Sequence, residues 1–317
     1  MRIDVHAHCF PMNYLDLLDR LGGSPVGTEF ARKFSAGDSS EELDERIRLM
    51  DGAGVERQVL SVSPQFPYFA EAGSGTQAAR LANDLLAELV GRYPKRFLAF
   101  GVLPLPHADA AIAETARCLD ELGMAGVTAA TSVLGRSIAD AAFDSLFAEL
   151  DRRGAVLFLH PAGQACGSAT LVESKLTWPL GAPVEDAVAL LQLLQAGVPA
   201  RFPRVRIVAS HLGGVLPFLM RRLDHQAPWF LPERTARPSE LLRRFWYDSV
   251  NANPGSLRCA CEAFGSRRIL LGSDFPYWRD REYGLAVRYV ANSGLANEES
   301  DRILEQNAAE LLGIAEE

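Results

Sequence analysis

The chain opens on Ile3-Asp4-Val5-His6-Ala7-His8, an apolar, β-prone run at residues 3–5 that delivers two histidines where it ends. An open doubly wound sheet would carry a glycine-rich phosphate loop directly after its first strand. Here His-Ala-His takes that place, and the first glycine pair, Gly22-Gly23, comes later inside a long loop. Seven more Val-, Ile-, Leu- and Phe-rich runs follow, at 58–62, 97–103, 126–130, 156–160, 205–210, 245–249 and 269–272. Between them lie segments with the apolar period of a helix, at 40–53, 75–93, 108–122, 140–153, 184–196, 216–226, 256–264 and 281–293, and a last one at 297–312. Eight strand–helix units imply parallel pairing with right-handed crossovers, and they predict a distorted (β/α)8 TIM barrel in a single domain spanning residues 1–317. Two connections, 9–39 after strand 1 and 161–183 after strand 5, exceed simple turns and are expected to be loop insertions that wall a pocket.

Composition agrees with one large soluble barrel. With 48% hydrophobic and 23% charged residues over 317 positions, the chain can bury a sizeable core and is not a disordered polymer. Its formal charge of −8 offers no global attraction to a phosphate backbone or an anionic bilayer, which argues against nucleic-acid and membrane partners. No apolar run reaches the roughly 18 residues of a membrane span, the N-terminus does not read as a signal peptide, and a cytoplasmic protein is expected. The five cysteines (Cys9, Cys118, Cys166, Cys259 and Cys261) have no CxxC spacing and fit free thiols. Of 32 basic residues only Lys33, Lys95 and Lys175 are lysines, leaving 29 arginines.

Four of the six histidines fall at strand ends: His6 and His8 after strand 1, His160 at the end of strand 5 and His211 after strand 6. Asp274 follows strand 8. A parallel barrel delivers every strand C-terminus to one rim, so these distant residues should converge. His6, His8, His160 and Asp274 make a borderline N/O donor set suited to one divalent metal, zinc first, with manganese, iron or cobalt as substitutes. His107 and His225 lie elsewhere and read as structural or surface residues. Phe10, Trp178, Phe275, Tyr277 and Trp278 sit in strand-end loops, where each could stack on a planar substrate or only seal the rim.

These motifs carry a resemblance. Asp4-Val5-His6-Ala7-His8, Leu159-His160-Pro161, His211-Leu212-Gly213-Gly214 and Gly272-Ser273-Asp274-Phe275-Pro276 resemble the amidohydrolase superfamily, in particular its branch of metal-dependent decarboxylases similar to the aminocarboxymuconate-semialdehyde and γ-resorcylate enzymes. The resemblance implies His6, His8, His160 and Asp274 as metal ligands, with Asp274 also at the catalytic centre, and His211 as the proton-transfer group. It implies Arg46 and Arg222 as carboxylate-binding arginines, the second reaching into the neighbouring subunit of a homodimer. Arg46 also fits a charged surface helix beside Glu42, Asp44 and Glu45, and Arg222 adjoins Arg221. Pro161-Ala162-Gly163 departs from the follow-on of the aminocarboxymuconate enzyme. Strand 4 has no lysine for a carboxylated bridge, so one metal is expected rather than two.

The expected activity is nonoxidative decarboxylation of a small unsaturated or aromatic carboxylic acid. The same site could serve a hydrolase or hydratase acting on a lactone, ester, amide or unsaturated acid. A barrel that only senses or stores a ligand would be expected to lack one of these groups, and none is missing.

Overall fold

The computed structural model describes residues 1–23, 27–231 and 236–314. Eight parallel strands follow one another round a single sheet in chain order: β1 (Ile3–His8), β2 (Arg57–Ser61), β3 (Phe97–Val102), β4 (Gly126–Ala130), β5 (Val156–His160), β6 (Arg206–Ala209), β7 (Trp246–Asp248) and β8 (Ile269–Leu270). The segment following β8 meets β1 through the Val5 amide on the Leu271 carbonyl (2.9 Å), the His8 amide on the Phe275 carbonyl (2.7 Å) and the Asp274 amide on the His6 carbonyl (2.8 Å). The ring is thereby drawn shut, and the (β/α)8 barrel expected from the strand–helix alternation is the fold observed.

Strand alternation sorts the core into two layers. Val156 and Phe158 of β5 pack inward with Ile3, Val5, Phe100, Val208 and Leu270, and Ala308, Ala309 and Leu311 of helix Asn307–Leu312 close that inner cluster. Leu157 and Leu159 face outward into the larger layer between sheet and helices.

Strand β1 departs from the sequence expectation in a way that matters for the site. It runs to His8 rather than ending at Val5, because Ala7 and His8 pair with Leu60 and Ser61 of β2. Between the pairs Asp4↔Gln58 and Ala7↔Leu60, three steps of β1 oppose two of β2, which is a bulge. The bulge breaks the alternation, so that Val5 and His6, although adjacent, both reach the inner side. Val5 belongs to the inner cluster and the His6 ring meets Phe158 at 5.0 Å.

The two insertions are not plain loops. The first contains helices Met12–Arg20 and Glu29–Arg32, the second the short turn Ala165–Gly167, helix Ala169–Glu173 and a π-turn at Thr177–Gly181. Tyr14, Leu15, Leu17 and Leu18 give the first helix a buried stripe at helical spacing, and the Ser168 hydroxyl caps Ala169–Glu173 by accepting from the Leu171 amide at 3.3 Å. Pro183, taken as the end of the second insertion, lies instead in the first turn of helix Ala182–Gln195, where its missing N–H is no loss. All five cysteines are free. No helix among the described residues is long and apolar enough to cross a membrane.

Candidate metal centre and active site

The strand ends converge as the topology requires. Ring centroids lie 5.2 Å apart for His6 and His160, 5.0 Å for His8 and His160, and 5.3 Å for His6 and His211. Asp274 Oδ1 is 3.1 Å from His6 Nε2 and 2.9 Å from His8 Nε2, and its Oδ2 is 3.9 Å from His211 Nε2. Donor atoms of His6, His160, His211 and Asp274 all lie within 4.8 Å of one another. His8 joins them through its Nε2, 3.1 Å from that of His6.

Each imidazole is aimed by what its other nitrogen meets. His6 Nδ1 donates to Asp248 Oδ2 at 2.6 Å, His160 Nδ1 to the Pro161 carbonyl at 3.0 Å and His211 Nδ1 to Asp186 Oδ2 at 2.8 Å. His8 Nδ1 meets the Ser63 hydroxyl at 3.1 Å. With Nδ1 engaged by an oxygen, the Nε2 side of His6 is left for the cluster. Imidazole nitrogens and a carboxylate oxygen thus converge as a borderline N/O donor set. This donor set suits a divalent cation.

The local backbone is bent to present these groups. His211 (φ 53°) and Asp274 (φ 62°) both occupy the left-handed region, which costs non-glycine residues energy and is concentrated at functional sites. A Cβ on Gly272 would lie 2.8 Å from that of Asp248 and 3.1 Å from that of His6, so only glycine lets the segment following β8 come this close. The buried Asp4 carboxylate ties β1 to the Asp274 loop by accepting from the Ser273 amide (2.9 Å) and hydroxyl (2.6 Å).

Burial disfavours charge throughout the cluster, and neighbours decide where that cost is overcome. Burial would depress His6, but the charges of Asp248 and Asp274 push it up to about 9. Against the same burial penalty, Asp186 and Asp274 hold His211 well above the usual histidine value. Burial takes His8 down to about 4, with Asp274 opposing and the His6 charge adding to the fall. His160 lies well below its ordinary value through burial and the charge of the neighbouring imidazoles. Asp274 lies far below the carboxylate range, because the His6 charge and hydrogen bonds from three histidines outweigh its burial.

Above the cluster opens a cavity of about 290 Å³ whose wall includes His160, His211, Asp274, Phe30, Phe34, Trp178, Ala182 and Tyr277. Of the five aromatic residues singled out in the sequence, Trp178 and Tyr277 line this cavity. Phe10 is buried and stacks on His8 at 6.0 Å, Phe275 lies under the Arg46 guanidinium at 4.3 Å, and Trp278 is half-buried and not among the lining residues. Arg46 is not a surface residue and does not line this cavity: it is 1% exposed, donating to the His8 carbonyl (2.6 Å) and to Gln58 Oε1 (3.2 Å). Arg222 is exposed on helix Leu216–Phe230. Sequence reasoning missed Phe30 and Phe34 because their insertion read as loop, and Asp186 because it sits within a helix. Asp248 could have been found, being a carboxylate at a strand end like Asp274.

The Amidohydrolase family profile matches residues 3–314. The chain belongs to the amidohydrolase family. A 2-amino-3-carboxymuconate-6-semialdehyde decarboxylase of Dictyostelium discoideum is 28% identical to this amidohydrolase, over 99% of this chain and 92% of its own. A gamma-resorcylate decarboxylase of Rhizobium radiobacter is 31% identical over 74% of this chain and 76% of its own. Among solved structures, a dihydroxybenzoic acid decarboxylase from Polaromonas sp. JS666, with bound manganese and the inhibitor 2-nitroresorcinol, superposes on this amidohydrolase with a TM-score of 0.81 at 26% identity, covering 99% of this chain and 97% of that one. This amidohydrolase is an enzyme of that superfamily.

Proposed function

We propose that this amidohydrolase is a metal-dependent nonoxidative decarboxylase of a small aromatic or unsaturated carboxylic acid, with His211 as its proton-transfer group. The observation that carries the reading is the cavity itself, where His160, His211 and Asp274 face a space walled by Phe30, Phe34, Trp178 and Tyr277. Aromatic faces suit a planar, conjugated acid. The relatives named above, all decarboxylases, support the same chemistry.

His6, His8, His160 and Asp274 would hold the ion, zinc by donor type, with manganese, which the Polaromonas relative contains, as the first substitute. When bound, the ion would supply Lewis-acid charge to a substrate oxygen and so draw electrons away from the carbon that loses CO₂. His211 does the protein's part of the reaction. As the carbon–carboxylate bond breaks and CO₂ leaves, the carbon keeps the electron pair and takes the proton carried on Nε2, which solvent then restores. Phe30, Phe34 and Tyr277, in mutual ring contact at 4.7 to 5.8 Å, keep bulk water from the reacting carbon. Arg222, exposed on its own chain, would meet a substrate carboxylate from a second copy, in a homodimer.

The test is CO₂ release from a panel of hydroxybenzoates and muconate-type acids by protein stripped with a chelator and reloaded with zinc or manganese. Metal-dependent release is expected, and His211→Ala should lower it by about 100-fold or more with metal content unchanged. Loss of the metal in that variant would move His211 into the ligand set. Lactone opening without CO₂ release would assign hydrolysis to the centre.

A further inference from the structure

We infer that Asp186 is the residue that positions His211 for proton transfer, an inference that rests on His211 being the proton carrier. His211 is held at two points by two different carboxylates. Its backbone amide donates to Asp248 Oδ1 at 2.8 Å, which fixes the turn, and its ring Nδ1 donates to Asp186 Oδ2 at 2.8 Å, which fixes the ring. Asp248 cannot do both, since its second oxygen is taken by His6 Nδ1 at 2.6 Å. With Nδ1 committed to Asp186, the tautomer and the ring orientation are fixed and Nε2 is presented to Asp274 and the cavity.

Asp186 occupies this position at a cost. It is 2% exposed, and its Oδ1 has no hydrogen-bond partner. A buried carboxylate oxygen without a partner is rare, and packing alone does not account for it. The surrounding chain holds it there nonetheless. Glu185, the preceding residue on helix Ala182–Gln195, grips the loop after β5 by accepting from the amides of Ala162 (2.7 Å), Gly163 (3.1 Å) and Gln164 (2.6 Å), and it also accepts from the hydroxyl of Thr131, just after β4 (3.1 Å). On the other side, a Cβ on Gly214 would lie 1.8 Å from the Pro183 carbonyl oxygen, so the His211 turn can seat against the first turn of that helix only because residue 214 is glycine. Adjacent acids on one helical turn thus do separate jobs: Glu185 sets the helix on the loop that follows His160, and Asp186 aims His211.

The experiment compares Asp186→Asn, which keeps the shape and removes the charge, with Asp186→Glu and His211→Ala, all loaded with the same metal. Asp186→Asn is expected to lower kcat by about 100-fold while KM, metal content and melting temperature change little, and Asp186→Glu should recover part of that loss. Proton NMR gives a readout independent of turnover: the downfield His211 Nδ1–H resonance expected of a charge-assisted hydrogen bond should be present in the wild type and lost in Asp186→Asn and in His211→Ala. A kcat within about threefold of wild type in Asp186→Asn, with His211→Ala inactive, overturns the inference. So does a fall in kcat that merely tracks lost metal or lost folded protein. Should His211→Ala retain full turnover, the reading of His211 itself fails, whatever Asp186 does.

Discussion

Arg46 shows how far a residue's role depends on what surrounds it. From sequence it is a carboxylate clamp or a surface charge, yet it is buried beneath the histidine cluster, bonded to the His8 carbonyl and to Gln58, whose amide donates on to Asp4 at 2.9 Å. Its guanidinium therefore helps set the backbone of β1 behind the ligands, while its Nε finds no partner. Arg46→Ala would leave those acceptors unpaired and open a cavity against Phe275, and is expected to lower stability by about 2–5 kcal/mol, read as a fall in melting temperature. A clamp would behave differently, raising KM by tenfold or more at unchanged melting temperature.

Among the elements, helix Asp144–Arg153 illustrates how the outer ring is pinned. Glu149 meets Arg152 and Arg153 at 2.8 and 2.6 Å, and Arg153 reaches on to Asp120 of the preceding helical segment at 2.7 Å. Hydrogen bonding to Arg152, against an opposing burial penalty and with Arg153 adding to it, brings Glu149 down from 4.5 to about 2. A carboxylate depressed in the fold stabilises it above its unfolded pKa and loses that contribution as pH falls through the folded value. The melting temperature of Glu149→Gln should accordingly lie below wild type from neutral pH down to about 4.5, and the gap should close as pH falls towards about 2. A gap that persists at the lowest pH would mean the charge is not what matters.

At the scale of the whole molecule, helix Leu216–Phe230 presents large apolar side chains to the outside. It leaves Phe218 86% and Trp229 80% exposed, with Arg222 exposed between them. The homodimer proposed above would place a second copy over this face. Sedimentation should then give a mass of two chains, Phe218→Asp with Trp229→Ser should shift it to one, and Arg222→Ala should raise KM while leaving the dimer intact. A wild-type protein that sediments as one chain would remove the homodimer and, with it, the substrate role proposed for Arg222.

The order of strands and helices, the barrel they close into and the convergence of His6, His8, His160, His211 and Asp274 were legible because they follow from periodicity and topology. Alternating β and α segments dictate parallel pairing, and parallel pairing sends every strand end to one rim. What only the tertiary structure decided depends on contacts between segments far apart in the chain. The bulge that turns both Val5 and His6 inward is set by pairing with β2. The burial of Arg46 and the meeting of Asp186 with His211 are set by how helices seat on the sheet. Local pattern records which residues want to be buried or extended, but which carboxylate faces which imidazole is fixed by packing, a long-range property that no short stretch of sequence contains.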